Sequence, residues 1–188
     1  MASRPLGPRV GKTLASALAA VLAAAFMGSA WADGGGDPAA GEAQSLACAA
    51  CHGQDGSTPI DPTYPHLGGQ NERYLFTQLQ MVRDGQREIL LMTGQLNGKS
   101  DQDLMDIAAY YASLPGKVNQ TDAEDATLAL GEQIYRAGIA EKGVAACIAC
   151  HSPNGGGNRA AGYPNVSGQP SAYTVNQLTA YREGTRMT

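Results

Sequence analysis

The stretch "LACAACHGQDGS", residues 46–57, sets the problem this chain poses. It places Cys48, Cys51 and His52 in the order Cys-x-x-Cys-His, and the rest of the sequence must say what that cluster is for.

The cluster occurs twice. A shift of 99 residues carries Ala47, Cys48, Cys51 and His52 onto Ala146, Cys147, Cys150 and His151. The same shift carries Tyr64 and Pro65 onto Tyr163 and Pro164, and Gly69 and Gln70 onto Gly168 and Gln169. Tyr74, Gln78, Leu79, Arg83, Gly85 and Arg87 land on Tyr173, Gln177, Leu178, Arg182, Gly184 and Arg186 without a gap. A fixed-offset repeat of this length describes two related modules. The polar stretch "PGKVNQTD" (115–122) reads as the linker between them, giving domains over 33–114 and 123–188.

The chain begins with "MASRPLGPRVGK", which carries Arg4, Arg9 and Lys12 and no acid. An apolar run to Met27 follows, then Ala30 and Ala32 at small-x-small spacing. This reads as a secretory signal peptide over 1–32, too short in its apolar part for a bilayer span of about 20 residues. The remaining chain carries 10 bases against 17 acids, a net charge of −7, all of it in residues 33–114. An acidic half joined to a neutral half argues against a nucleic-acid partner, which needs a basic face. It suits an oriented encounter with a charged protein.

Each module reads as helical. "PAAGEAQSLACAACHG" predicts a helix ending at the cluster. "NERYLFTQLQMVRDG" sets Tyr74, Leu75, Gln78, Leu79 and Val82 near one face, with Gly85 as a cap. "SDQDLMDIAAYYASLPG" starts with a Ser100 cap, has Asp103 near a capping-box position and stops at Pro115. No convincing strand is present. A module of about 80 residues with so much loop has little core of its own and needs a large apolar body to fold around.

Four readings compete for the cluster. All four cysteines sit in the two clusters, so none remains for a conventional disulfide framework. A redox dithiol needs only two cysteines and a βαβ setting, and makes no use of the histidine. A structural zinc site needs four ligands, and each module offers three. Covalent c-type haem uses all three residues: two thiols one helical turn apart meet two vinyl groups, and the next histidine faces the iron. Haem also supplies the missing apolar body. His52 and His151 are then axial ligands. For the opposite face of the first iron, Met92 in the loop "EILLMTGQLNGKS" is preferred over the helical Met81 and Met105, and over His66, whose counterpart is Asn165.

With "YPHLGGQNERYLFTQLQ" and "LLMTGQLNGKSDQDLMDIAAYY", and with "CIACHSPNGGGNRAAGYPNVSGQPSAYTVNQLTAYREGTR" in the second half, the chain closely resembles the dihaem cytochromes c4. The resemblance implies an all-α fold of two tandem class I cytochrome c domains, each with one covalent haem bound by His and Met. It implies that Cys48, Cys51, His52 and Met92 serve the first haem, and Cys147, Cys150 and His151 the second. It also implies that the carbonyls of Pro65 and Pro164 accept a hydrogen bond from the ligand histidines. The sequence departs from the pattern at its end. The position equivalent to Met92 falls beyond Thr188, and the second module lacks the last helix of the first. Met187 is the alternative ligand for the second iron, and an incomplete chain is the expected explanation.

The function expected is electron carriage in the periplasm, from respiratory donors such as a quinol-oxidising complex toward a terminal oxidase, rather than catalysis. The competing reading is the cytochrome subunit of a dehydrogenase, such as a flavocytochrome c sulfide dehydrogenase. A haem enzyme or gas sensor with an open second iron ranks last. Peripheral association with a membrane is compatible with either of the first two.

Overall fold

The computed structural model describes residues 35–119, 121 and 123–187. The expected signal peptide and the terminal Thr188 lie outside the described residues. Among the described residues seven α-helices form: α1 (Pro38–Gln44), α2 (Leu46–His52), α3 (Glu72–Arg83), α4 (Asp101–Ser113), α5 (Asp125–Ala137), α6 (Ile148–His151) and α7 (Ser171–Glu183). Among the described residues there is no strand, only the isolated bridges Ile139–Val144 and Asn158–Tyr163. The described residues include no helix long and apolar enough to cross a membrane.

The run expected as one helix before His52 is two. The Ser45 hydroxyl donates back to the Gly41 carbonyl at 2.7 Å, and the Ser45 N–H bonds to Glu42 rather than one residue further back. Such back-bonding competes with the helical ladder and bends it. α3 starts on an Asn71 cap, whose side chain accepts from the Tyr74 N–H. It ends in a Schellman motif: Gly85 has φ +72°, its N–H bonds to Val82, and the Gln86 N–H reaches Met81. α7 closes identically on Gly184, with φ +72° and N–H bonds to Tyr181 and Ala180. α4 carries the capping box formed by Ser100 and Asp103.

Helix packing concentrates in the first module, where α1 and α3 both lie on α4. Leu75, Ile107, Ala108 and Tyr111 form its core, with Cys48, Leu67, Phe76, Leu79, Tyr110 and Leu114 packed around them. The α1–α4 crossing is close because Gly41 has no side chain: a Cβ there would come within 1.9 Å of the Asp106 carbonyl oxygen. The second module differs at its entrance. Ala39, Gly41 and Glu42 match Ala129, Gly131 and Glu132 at an offset of 90, so the second module carries nine extra residues ahead of its cluster. They form a tight loop with a 3-10 turn at Ala140–Lys142 and the left-handed Gly143. α5 has no buried residue, and nothing lies within 4 Å of a Cβ built on Gly131. No helix follows α7 among the described residues.

The linker lies along both modules. Lys117 Nζ donates to the Ser57 carbonyl at 3.1 Å, and Asn119 Nδ2 to the Gly168 carbonyl at 2.6 Å.

Two substitutions test these positions. Gly41→Val forces α1 off α4 and should destabilise the first module by about 1–3 kcal/mol, read as a lower denaturation midpoint. Ser152 sits at φ 68°, ψ 165°, where the first module has Gly53 at φ 82°, ψ 156°. That region is costly for any residue with a Cβ, so Ser152→Gly should raise stability by about 1 kcal/mol in the same measurement.

Candidate functional site

Both clusters sit at the C-terminal end of a short helix followed by a turn, and this geometry fixes the histidines. His52 ends α2 and His151 ends α6. His52 Nδ1 lies 3.1 Å from the Pro65 carbonyl oxygen, and His151 Nδ1 lies 3.0 Å from that of Pro164. A carbonyl can only accept, so each Nδ1 carries the proton. Each Nε2 therefore keeps its lone pair, the form a metal ligand requires. Burial pushes the pKa of His52 down and favours that neutral ring. A tyrosine ring accompanies each imidazole: Tyr64 at 6.1 Å from His52 and Tyr163 at 6.2 Å from His151.

No disulfide joins any of the four cysteines. Cys48 packs against the first core and lies beside Tyr111, and burial raises its pKa. Cys51 is exposed, while Cys147 and Cys150 are half-buried. Among the described residues no group of three or more His, Cys, Asp or Glu side chains converges as a metal site, so the zinc reading gains no fourth ligand. A cavity of about 440 Å³ opens beside His151, lined by Tyr163 and Pro164 and, from the first module, by Arg73, Tyr74 and Gln78. A half-open, largely apolar space of this size, with His151 on its wall at the end of the cluster that carries Cys147 and Cys150, suits a flat apolar cofactor attached through sulfur.

The remaining expected residues are placed as follows. Met92 ends the 3-10 turn Leu90–Met92, in the loop between α3 and α4. Leu90 and Leu91 beside it are exposed. Met81 stays inside α3, where Gln78 Nε2 contacts its sulfur at 3.7 Å. Met187 is 78% exposed. His66 is buried, but it serves the contact between modules: its Nδ1 donates to the Gly168 carbonyl at 2.8 Å.

That contact is the feature sequence reasoning missed. Gln70 grips the backbone of Asn165, accepting from its N–H and donating to its carbonyl, both at 2.7 Å. Gln169 grips the backbone of His66 in the same way, at 3.0 and 2.9 Å. The 99-residue shift maps one pair onto the other, so the seam is pseudo-two-fold. Arg87 donates to Gln78, Gln177 and Tyr173, and Arg186 to Gln177, Gln78 and Tyr74. The signal was available: Gln70, Gln78 and Arg87 are polar residues that recur in both copies, and Gln78 falls on the face assigned to the core.

A helical module that ends a short helix in Cys-x-x-Cys-His and anchors the histidine on a prolyl carbonyl is a class I c-type cytochrome, here built twice in one chain. The family model for cytochrome c matches residues 128–188. The chain is 49% identical over 151 residues to cytochrome c4 of Pseudomonas aeruginosa, across 80% of this chain and 74% of that one. The crystal structure of reduced recombinant cytochrome c4 from Pseudomonas stutzeri superposes with a TM-score of 0.76 at 46% identity, covering 81% of this chain and 83% of that one. The thiosulfate dehydrogenase electron acceptor of Thiomonas intermedia is 34% identical over 167 residues, 88% of this chain and 76% of that one. The chain belongs to the cytochrome c4 family: a dihaem c-type cytochrome and electron carrier.

The seam should respond to acid through His66. Burial pushes its pKa below the usual value of about 6.5, while nearby Lys117 opposes and Asp55 favours protonation. The unfolded chain then binds the proton more readily than the folded one. Its contribution is complete above about pH 6.5 and is lost as pH falls below that value. Denaturation midpoints between pH 7 and 5 should fall less steeply in His66→Asn, which copies Asn165, than in the unaltered protein.

Proposed function

We propose that Cys48 and Cys51 hold the first haem, with His52 and Met92 on its two faces, and that Cys147, Cys150 and His151 hold the second. The domains divide as 33–114 and 123–188 around the linker 115–122. The observation that carries this reading is the repeated one: two cysteine pairs outside any disulfide, each followed by a histidine whose Nδ1 is held on a prolyl carbonyl.

The bound haem iron supplies a one-electron couple. The chain's residues set its terms. Pro65 and Pro164 fix the ring orientation of the histidines and raise their basicity. The cysteines would hold the cofactor by thioether bonds beside those rings. A thioether from Met92 raises the potential of the first site and closes it to small ligands. The contact between modules covers one wall of the second cavity with Arg73, Tyr74 and Gln78 of α3.

Donors in a respiratory chain, such as a quinol-oxidising complex, and a terminal oxidase as acceptor fit this site. Export by the expected leader places the protein in the periplasm, on or near the membrane. The acidic first module steers a basic partner toward its haem edge. A second reading, the redox subunit of a dehydrogenase, is favoured by the 34% identity to a protein named as a thiosulfate dehydrogenase electron acceptor.

The spectrum of the reduced protein with and without carbon monoxide tests the ligand assignment. The first haem should ignore carbon monoxide in the unaltered protein and bind it in Met92→Ala, with the c-type bands retained. An unchanged response in Met92→Ala would remove Met92 from the ligand set.

A further inference from the structure

Arg73 belongs to α3 of the first module, yet it lines the cavity of the second together with His151. Its side chain runs along Gly162, where a Cβ would sit 3.4 Å from the Arg73 Cδ. Its guanidinium donates to the Ala160 carbonyl at 3.3 Å, again in the second module. The other bases of the first module are engaged elsewhere. Arg83 pairs with Asp84 and Asp101, Lys99 bonds to Gln44, and Arg87 lies among Gln78, Gln177 and Tyr173. Arg73 forms no ion pair with any described residue. The internal repeat places Ala172 at the equivalent position. The second site therefore borrows a cation from its neighbour, and the equivalent position of the repeat carries no charge to offer in return.

We propose that Arg73 acts across the seam to raise the reduction potential of the second haem, so that the Arg73–Ala172 difference makes the two haem sites electrostatically unequal. The inference rests on the haem reading of His151 and its cysteines. Reduction adds one negative charge to the site, and a fixed cation on the cavity wall stabilises the reduced form more than the oxidised one. Haem also carries carboxylate side chains. Pairing with one of them cancels negative charge and moves the potential in the same direction. Arg73 is exposed on its outer side, so water and salt screen the effect. The screening length falls from about 10 Å at 0.1 M to about 3 Å at 1 M salt.

Spectroelectrochemical titration of the full chain as Arg73→Ala and Arg73→Lys decides the matter, with each wave assigned by the haem-methyl NMR signals of its module. Arg73→Ala should lower the second wave and leave the first in place. An effect of about threefold in the distribution of one electron between the haems corresponds to about 28 mV, at 59 mV per decade. Arg73→Lys should keep the original potentials, and the alanine shift should shrink in 1 M salt. A second wave that stays put overturns the proposal. So do two waves that move together, as a loosened seam would cause, or a lysine variant that shifts as far as alanine. Absence of two c-type waves in the unaltered protein would instead overturn the haem reading beneath it.

Discussion

The hydrogen bond from each histidine to a prolyl carbonyl thirteen residues further on is the interaction on which the rest depends. It closes a loop that has almost no core to hold it, and it settles which nitrogen carries the proton. In the first module that loop runs under Leu67 and Gly68, whose N–H groups both bond to the Gly56 carbonyl. In the second, Val166 and Ser167 make the same pair of bonds to Gly155. A polar chain segment is thus folded back over a short helix, leaving the free face of the imidazole toward the space that a cofactor fills. Buried apolar side chains alone would not do this. The fully buried large residues are Leu104 and Ile107, both on α4 of the first module.

The seam between the modules is a second layer built on the same loops. Gln70 and Gln169 read each other's loop through backbone groups only, so the contact depends on the path of the chain around Pro65 and Pro164 rather than on side-chain identity opposite. This explains how His66 can stand where the second module has Asn165 without disturbing the pairing. It also explains why the cavity beside His151 has a wall from the other module: once the loops are paired, α3 has nowhere else to lie.

Much of this was legible in the sequence. The Cys-x-x-Cys-His spacing, the Ser100 cap and the glycine stop at Gly85 are local signals whose physics acts within a few residues, and the repeat carries them to the second module. The helix break at Ser45 was not, because a serine hydroxyl turning back on its own helix leaves no trace in periodicity. α5 was not, because the nine extra residues before the second cluster shift its register relative to α1. The seam was hidden for another reason. Gln78 at a core-facing position looks like a flaw in an amphipathic helix until its partner, Arg87, and the second module are in place.

The seam has an evolutionary corollary. Its reciprocal bonds are those of an isologous dimer, in which a patch meets its own copy. Two identical chains joined this way are bound by their symmetry: whatever one subunit presents to its neighbour, it receives in return. Joining the copies end to end lifts that obligation. Gly53 can become Ser152, and Arg73, which lines the cavity beside His151, can have an alanine, Ala172, as its equivalent. Covalent fusion kept the geometry of a homodimer while giving each half its own ancestry of substitutions, which is the condition for two chemically identical cofactors to acquire a direction between them.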